Sequence, residues 1–160
     1  MNELTLRRAR PGDDSDLVRI IRSGMAEFGI CGAGLDGDAE VASISSAYAP
    51  PRAAYFVVES SGRVLGGGGI GPIADQPEEI CELRKMYLVP EARGLGAGRR
   101  LLETCLDFAR QVGYRTCYLA TLERMTRARR LYAGFGFARA DRELPGSAYL
   151  GCDTWYEREL

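Results

Sequence analysis

The chain of 160 residues contains no histidine. That removes Ser-His and Cys-His nucleophile pairs and every histidine-ligated metal. Acid–base chemistry is left to Glu, Asp, Tyr, Cys, Lys or the substrate itself. Lysine is almost as scarce: of 21 basic residues, all but Lys85 are arginine. The five cysteines (Cys31, Cys81, Cys105, Cys117 and Cys152) form no C-x-x-C pair and are odd in number. No metal site is therefore expected, and they read as buried free thiols of a reducing cytosol. No apolar run approaches the roughly 20 residues of a bilayer span. The opening segment MNELTLRRARPGDD lacks the apolar core of a signal peptide. A cytoplasmic protein with no membrane partner is the expectation. A formal net charge of −1 argues against an obligate polyanion binder, so no nucleic-acid partner is expected.

What is present fits one domain of ordinary size. Leu4 to Arg8 alternates as a strand, and Asp13 or Asp14 can cap a helix through Leu17 and Ile21. Gly29 to Gly37 is a Gly-rich loop, and Asp38 can cap a second short helix through Val41 and Ile44. AYFVVES (54–60) and RVLGGGGI (63–70) flank Ser61-Gly62 as a hairpin. ICELRKMYLV (80–89) reads as a long strand. An amphipathic helix spans Arg99 to Val112, then come a strand at 116–120, a helix at 126–133 and closing strands. The order predicts a single mixed α/β domain over residues 1–160.

Two features concentrate in the second half. Residues 93–142 carry 11 basic and 4 acidic groups, against 9 and 14 in residues 1–92. Glycine numbers 20, well above the usual share of about 7%. No P-loop pattern occurs. Gly66, Gly68 and Gly71 match G-x-G-x-x-G but lie within a strand and precede Pro72, so a bulge or a close backbone approach explains them better. Arg93-Gly94-Leu95-Gly96-Ala97-Gly98 follows a strand and opens a helix. There, unpaired N–H groups and the helix dipole favour an anion, and glycines let a pyrophosphate approach the backbone. Arg93 and either Arg99 or Arg100 flank it.

The segment ELRKMYLVPEARGLGAGRRLL (82–102) resembles the acetyl-CoA-binding motif of the GCN5-related N-acetyltransferases, R/Q-x-x-G-x-G/A after a strand. Ala128 to Phe137 (ARRLYAGFGF) is similar to that family's second signature, A-x-x-L-Y-x-x-x-G-F. Met125 stands where the family often has an asparagine. The resemblance implies a mostly antiparallel twisted sheet, splayed between strands 4 and 5 and flanked by about four helices. It also implies an acetyl-CoA-dependent N-acetyltransferase. The backbone around Met86, Tyr87 and Leu88 would pair with the pantetheine. The amides of Arg93 to Gly98, with Arg99, would hold the pyrophosphate. Tyr132 would protonate the leaving thiolate.

An amine must shed its proton before attack, and without histidine a carboxylate is the natural acceptor. Glu82 is the first choice, on the strand that lines the cofactor. Strict alternation sets it with Arg84, Met86 and Leu88 on one side, and Cys81, Leu83 and Tyr87 on the other. Glu79, Glu123 and Asp153 are weaker options. Residues 24–51 and 141–153 are expected on the substrate side, with Phe28 and Tyr149 as weak substrate-binding candidates. Their acidic surplus suggests a cationic small-molecule amine, and a homodimer is left open. The alternatives are a catalytically inactive acyl-CoA sensor and an RNA-binding protein that uses the arginine-rich middle.

Overall fold

The computed structural model describes residues 3–30, 39–147 and 151–160. Seven strands form one sheet in the order β1-β2-β3-β4-β5-β7-β6. They are β1 Thr5–Arg8, β2 Ala54–Ser60, β3 Arg63–Pro72, β4 Ile80–Leu88, β5 Thr116–Thr121, β6 Ala138–Ala140 and β7 Thr154–Glu159. Neighbouring strands are antiparallel except β4 and β5, which are parallel. The helices are α1 Asp14–Glu27, the single turns α2 Ala39–Ala42 and α3 Ile44–Ala47, α4 Ala97–Gln111 and α5 Thr126–Gly134.

Helix α4 starts two residues before the expected Arg99, because the left-handed Gly96 is its cap and Ala97 is buried. The expected second helix is broken at Ser43, whose backbone is extended (φ −149°), and its Asp38 cap lies outside the described residues. Asp13 occupies the N-cap of α1 but turns away from the helix. Its carboxylate accepts from both Arg7 Nη atoms (2.7 and 2.9 Å) and from Arg10 N (2.7 Å). Arg7 also reaches Glu59, so this cluster ties β1 and β2 to the start of α1.

The sheet is buried on both faces. Ala54, Phe56 and Val58 of β2 point to the α4 face, where Leu101, Leu102, Leu106, Phe108 and Tyr132 complete one core. Tyr55 and Val57 point the other way and pack with Leu17, Ile20, Ile21, Val41 and Ile44 from α1 to α3. This two-sided burial is why β2 reads as a continuous apolar run.

A bulge interrupts the β3–β4 ladder. Gly69 pairs with Arg84 and Gly67 with Tyr87, so Lys85 and Met86 together oppose Gly68. Lys85 takes the left-handed region (φ +51°), which costs a non-glycine residue roughly 1–2 kcal/mol. The glycines of β3 admit both backbone and rings: a Cβ at Gly66 would lie 2.2 Å from Tyr87 O. A Cβ at Gly67 would lie 2.4 Å from Tyr55 Cε1, and one at Gly69 would lie 2.4 Å from Tyr48 Cε1. Tyr55 crosses the sheet over this space, and its hydroxyl donates to the Lys85 carbonyl (2.6 Å). The bulge also corrects the expected alternation. Cys81 and Leu83 face the α4 core, and beyond the extra residue Met86 joins that same face while Tyr87 packs on the α1 side. Met86 therefore lies opposite to Glu82 and Arg84, because one inserted residue inverts a period of two.

Candidate active site

Strands β4 and β5 pair only at Ile80–Thr116, Cys81–Cys117 and Glu82–Tyr118. Past that point they part, and a cleft of about 1,420 Å³ opens between Leu83–Leu88 on one side and Leu119–Leu122 on the other. β4 remains paired with β3, and β5 with β7. The β4 edge that faces the gap thus presents ladder groups to an extended ligand.

One end of the cleft is the turn into α4. Gly94 (φ +78°) and Gly96 (φ +80°) are both left-handed, and, chain neighbours aside, no atom of the described residues lies within 4 Å of a Cβ built on either. The first α4 bond runs from Arg100 N to Gly96 O (3.1 Å). The N–H groups before it have no intrahelical acceptor and carry the positive end of the dipole. Main-chain N–H donors, an open glycine surface and a neighbouring arginine form a donor set that fits a pyrophosphate. Arg93, Gly94, Gly96, Gly98 and Arg99 line the cleft. Leu95 stands out into solvent at 45% exposure, and Ala97 is buried in the core.

The arginines divide their work. Arg93 makes two hydrogen bonds to Glu27 at the end of α1 (2.7 and 2.6 Å) and reaches Leu88 O (3.1 Å). Arg99 stacks over the Phe135 ring (5.3 Å) at the cleft wall. Arg100 points away and donates to Leu4 O (2.9 Å). Of the two flanking candidates, the structure brings Arg99 to the cleft. Arg124, from the β5–α5 connection, bridges to Phe28 O, with Nε at 2.9 Å. Met125, at the asparagine position, accepts a hydrogen bond from Thr121 Oγ1 at its sulfur (3.3 Å).

Tyr132 belongs to both core and cleft. Its ring meets Phe137 (6.0 Å) and Tyr156 (6.3 Å), and it also lines the opening. Burial, reinforced by the nearby thiols of Cys117, Cys105 and Cys152, raises its phenol far above the ordinary tyrosine range. Burial and the Tyr132 phenol do the same to Tyr87. Both phenols therefore hold their protons at neutral pH. Cys152, at the same place, is pushed up to about 11, chiefly by burial, with the carboxylates of Asp153 and Glu143 adding to the rise and Lys85 opposing it. Sequence reasoning missed Lys85 and Cys152 as wall residues; the signal available for Lys85 was its singularity.

Glu82 is fully buried at the last paired rung. Its Oε1 accepts from Arg84 Nε (2.6 Å) and its Oε2 from Ser147 Oγ. Arg84 in turn faces Glu40 of α2 (3.7 Å). The weaker candidates lie apart. Glu79 is exposed, Glu123 pairs with Arg129 and Arg139 at the surface, and Asp153 accepts from Glu123 N. Phe28 lines the cleft. Tyr149, Cys31 and Asp36 lie outside the described residues. Asp141 and Glu143 are exposed, and Glu143 and Asp153 act on the Cys152 thiol at the cleft wall. Among the described residues, no helix is long and apolar enough to cross a membrane.

The model of the acetyltransferase (GNAT) family matches residues 26–137. An uncharacterized N-acetyltransferase of Escherichia coli K12, YjgM, is 35% identical over 157 residues, covering 97% of this chain and 94% of its own. Among solved structures, a GNAT-family acetyltransferase from Staphylococcus aureus superposes with a TM-score of 0.85 at 20% identity, covering 98% and 99% of the two chains. The acetyltransferase yncA from Salmonella typhimurium, solved with acetyl-CoA, superposes at 0.75 with 20% identity, covering 98% and 94%. The chain belongs to the GCN5-related N-acetyltransferase family and is an acyltransferase of the N-acetyltransferase type.

Proposed function

We propose that this protein transfers the acetyl group of acetyl-CoA to the primary amine of a small molecule, by direct attack of the amine on the thioester. One observation carries the proposal. β4 leaves β5 just past Glu82 and Tyr118, and the gap runs from Tyr132 to the open glycines at the start of α4. A donor complex solved in the yncA neighbour supports the same choice of cosubstrate.

Acetyl-CoA supplies an acetyl group activated as a thioester. The backbone of Met86 and Leu88 pairs with the pantetheine like an added strand. The amides of the Arg93–Gly98 turn hold the pyrophosphate, and Arg99 adds a charge-assisted hydrogen bond. An alkylammonium has a pKa near 10, so its proton must be removed; Glu82 accepts it, directly or through a water. Tyr132 keeps its proton at Oη and donates it to the departing thiolate. Phe28 and Tyr149 contribute to the acceptor side.

The test is a panel of amines with acetyl-CoA, followed by release of free thiol. Amine-dependent release with formation of the N-acetyl product is the expected result. Tight binding of acetyl-CoA with no amine-dependent release from any member would instead establish a sensor.

A further inference from the structure

Beyond the Glu82–Tyr118 rung, β4 and β5 no longer pair. Side chains link their far ends through one helix terminus. Arg93 follows β4 by a short turn, and it bonds both Leu88 O at the end of β4 and the Glu27 carboxylate at the end of α1. Arg124 follows β5 by three residues, and its guanidinium donates to Phe28 O, one residue past Glu27. These bonds span 66 and 96 residues of chain. All four residues line the cleft, together with Met25 and Ile30.

The electrostatics of α1 explain why both partners are arginines. A helix dipole has its negative pole at the C-terminus, where the last carbonyls lack intrahelical donors. Glu27 adds a carboxylate there, and the last turn of α1 holds no basic residue of its own. Phe28 closes the helix with its N–H on Met25 O (3.1 Å), and the left-handed Gly29 (φ +73°) turns the chain away. Arg124 lies against that turn, since a Cβ on Gly29 would be 3.7 Å from its Nη2. Arg93 thus offsets the added carboxylate, and Arg124 satisfies a terminal carbonyl. The positive charge that the helix end requires comes from the two walls of the cleft. Arg124 is exposed, and the side chains of Glu27 and Arg93 are 42% and 23% exposed. Bonds of this kind contribute little to stability and open readily.

On the basis of the acetyl-CoA reading above, we infer that the end of α1 is a clasp across the donor cleft, and that Arg124 is the positioning residue that shuts it. An extended donor between β4 and β5 has the end of α1 across its path, so the Arg124 bond must open before it enters or leaves. Arg124 acts through Phe28 O and not on the donor itself. It therefore sets how fast acetyl-CoA exchanges, with little effect on how tightly it is held, because a closed clasp slows arrival and departure alike.

Surface plasmon resonance with the immobilised full chain and acetyl-CoA reads both rates, and a thermal melt reports the fold. Arg124→Met keeps an apolar stem and loses the donors. It should raise the association and dissociation rates roughly two- to fivefold each, with Kd changed by less than about twofold. Arg124→Lys retains a donor for Phe28 O and should fall between the unaltered protein and Arg124→Met. Loss of a cation at the cleft would by itself slow the arrival of an anionic donor, so a rise in both rates is the mark of the clasp. Unchanged rates in folded Arg124→Met would overturn the inference. So would faster dissociation without faster association, which would place the guanidinium on a donor phosphate. Loss of fold in Arg124→Met would overturn it as well, by making the arginine a structural prop. If the unaltered protein binds no acetyl-CoA, the donor reading itself falls, and the clasp with it.

Discussion

The two ends of the cleft are built by different means. At the α4 end the chemistry is carried by main chain: left-handed glycines, unpaired amides and a helix dipole, all within Arg93 to Arg100. At the other end it is carried by side chains that come from separate elements. Tyr132 belongs to α5, Lys85 to β4 and Cys152 to the segment before β7; Phe28, just after α1, also lines the cleft, and Glu82 of β4 is buried at the last β4–β5 pair. A backbone site is local in sequence and tolerates side-chain change as long as the turn keeps its shape. A side-chain site depends on the packing that brings its parts together. The same contrast appears in the arginines, since Arg99 borders the turn directly while Arg93 braces α1 against the end of β4.

The sharpest way to break the comparison is Gly96→Asp. The left-handed backbone tolerates Asp at modest cost, and the space above it is open, so the protein should fold. A carboxylate where the pyrophosphate sits should weaken acetyl-CoA binding by about a thousandfold, given charge-assisted contacts of roughly 1.5–3 kcal/mol each. Calorimetry showing unchanged affinity in the folded variant would remove the phosphate from this turn.

At the side-chain end, Glu82→Gln should leave cofactor binding intact and lower the rate at neutral pH by roughly 10²-fold or more. An unaltered pH–rate profile would move the base to Glu79 or Glu123, or to an acceptor that arrives neutral. Tyr132→Phe should cost roughly 10- to 10³-fold in turnover, and less than Glu82→Gln on balance. A thiolate with a pKa near 8.5 leaves tolerably without help. Acetyl-CoA affinity should stay within a few-fold, because the ring keeps its contacts with Phe137 and Tyr156. Loss of fold with undiminished turnover per folded molecule would leave Tyr132 a core aromatic alone.

Two smaller effects concern stability. Burial raises the phenols of Tyr48, Tyr55 and Tyr132 and the thiol of Cys105 above their ordinary values. A group whose native pKa is raised contributes stability below its unfolded pKa and loses it as pH climbs through the native one. Urea midpoints should therefore hold level up to about pH 8.5 and decline above about pH 9. A midpoint that rises between pH 9 and 10, on these ordinary values, would contradict the burial of these groups. Last, Arg93→Gln removes a half-exposed ion pair and should cost less than about 1 kcal/mol. Should it instead weaken acetyl-CoA binding strongly while stability holds, Arg93 serves the phosphate rather than α1.

The hairpin at Ser61-Gly62, the strand–turn–helix around Gly96 and the helix that carries Tyr132 were all legible from the chain. Each is coded by neighbours: turn residues with positive φ, an apolar stripe at helical spacing, a cap before a helix. The glycine turn at the α4 end of the cleft could be read for the same reason, since its residues are consecutive. The phase of β4 could not. Alternation assigned Met86 to the face of Glu82, and the bulge at Lys85 reversed it. That bulge depends on glycines in β3 that make room for a tyrosine of β2, three segments that meet only in the sheet. Nor did composition reveal which charged residues line the cleft, because Lys85 is turned inward while Asp141 is exposed. Sequence by itself determined the elements and the glycine turn that opens α4, whose interactions span a few residues. Tertiary structure decided which β4 side chains meet the cleft, because a one-residue slip in pairing chooses the face on which each side chain emerges.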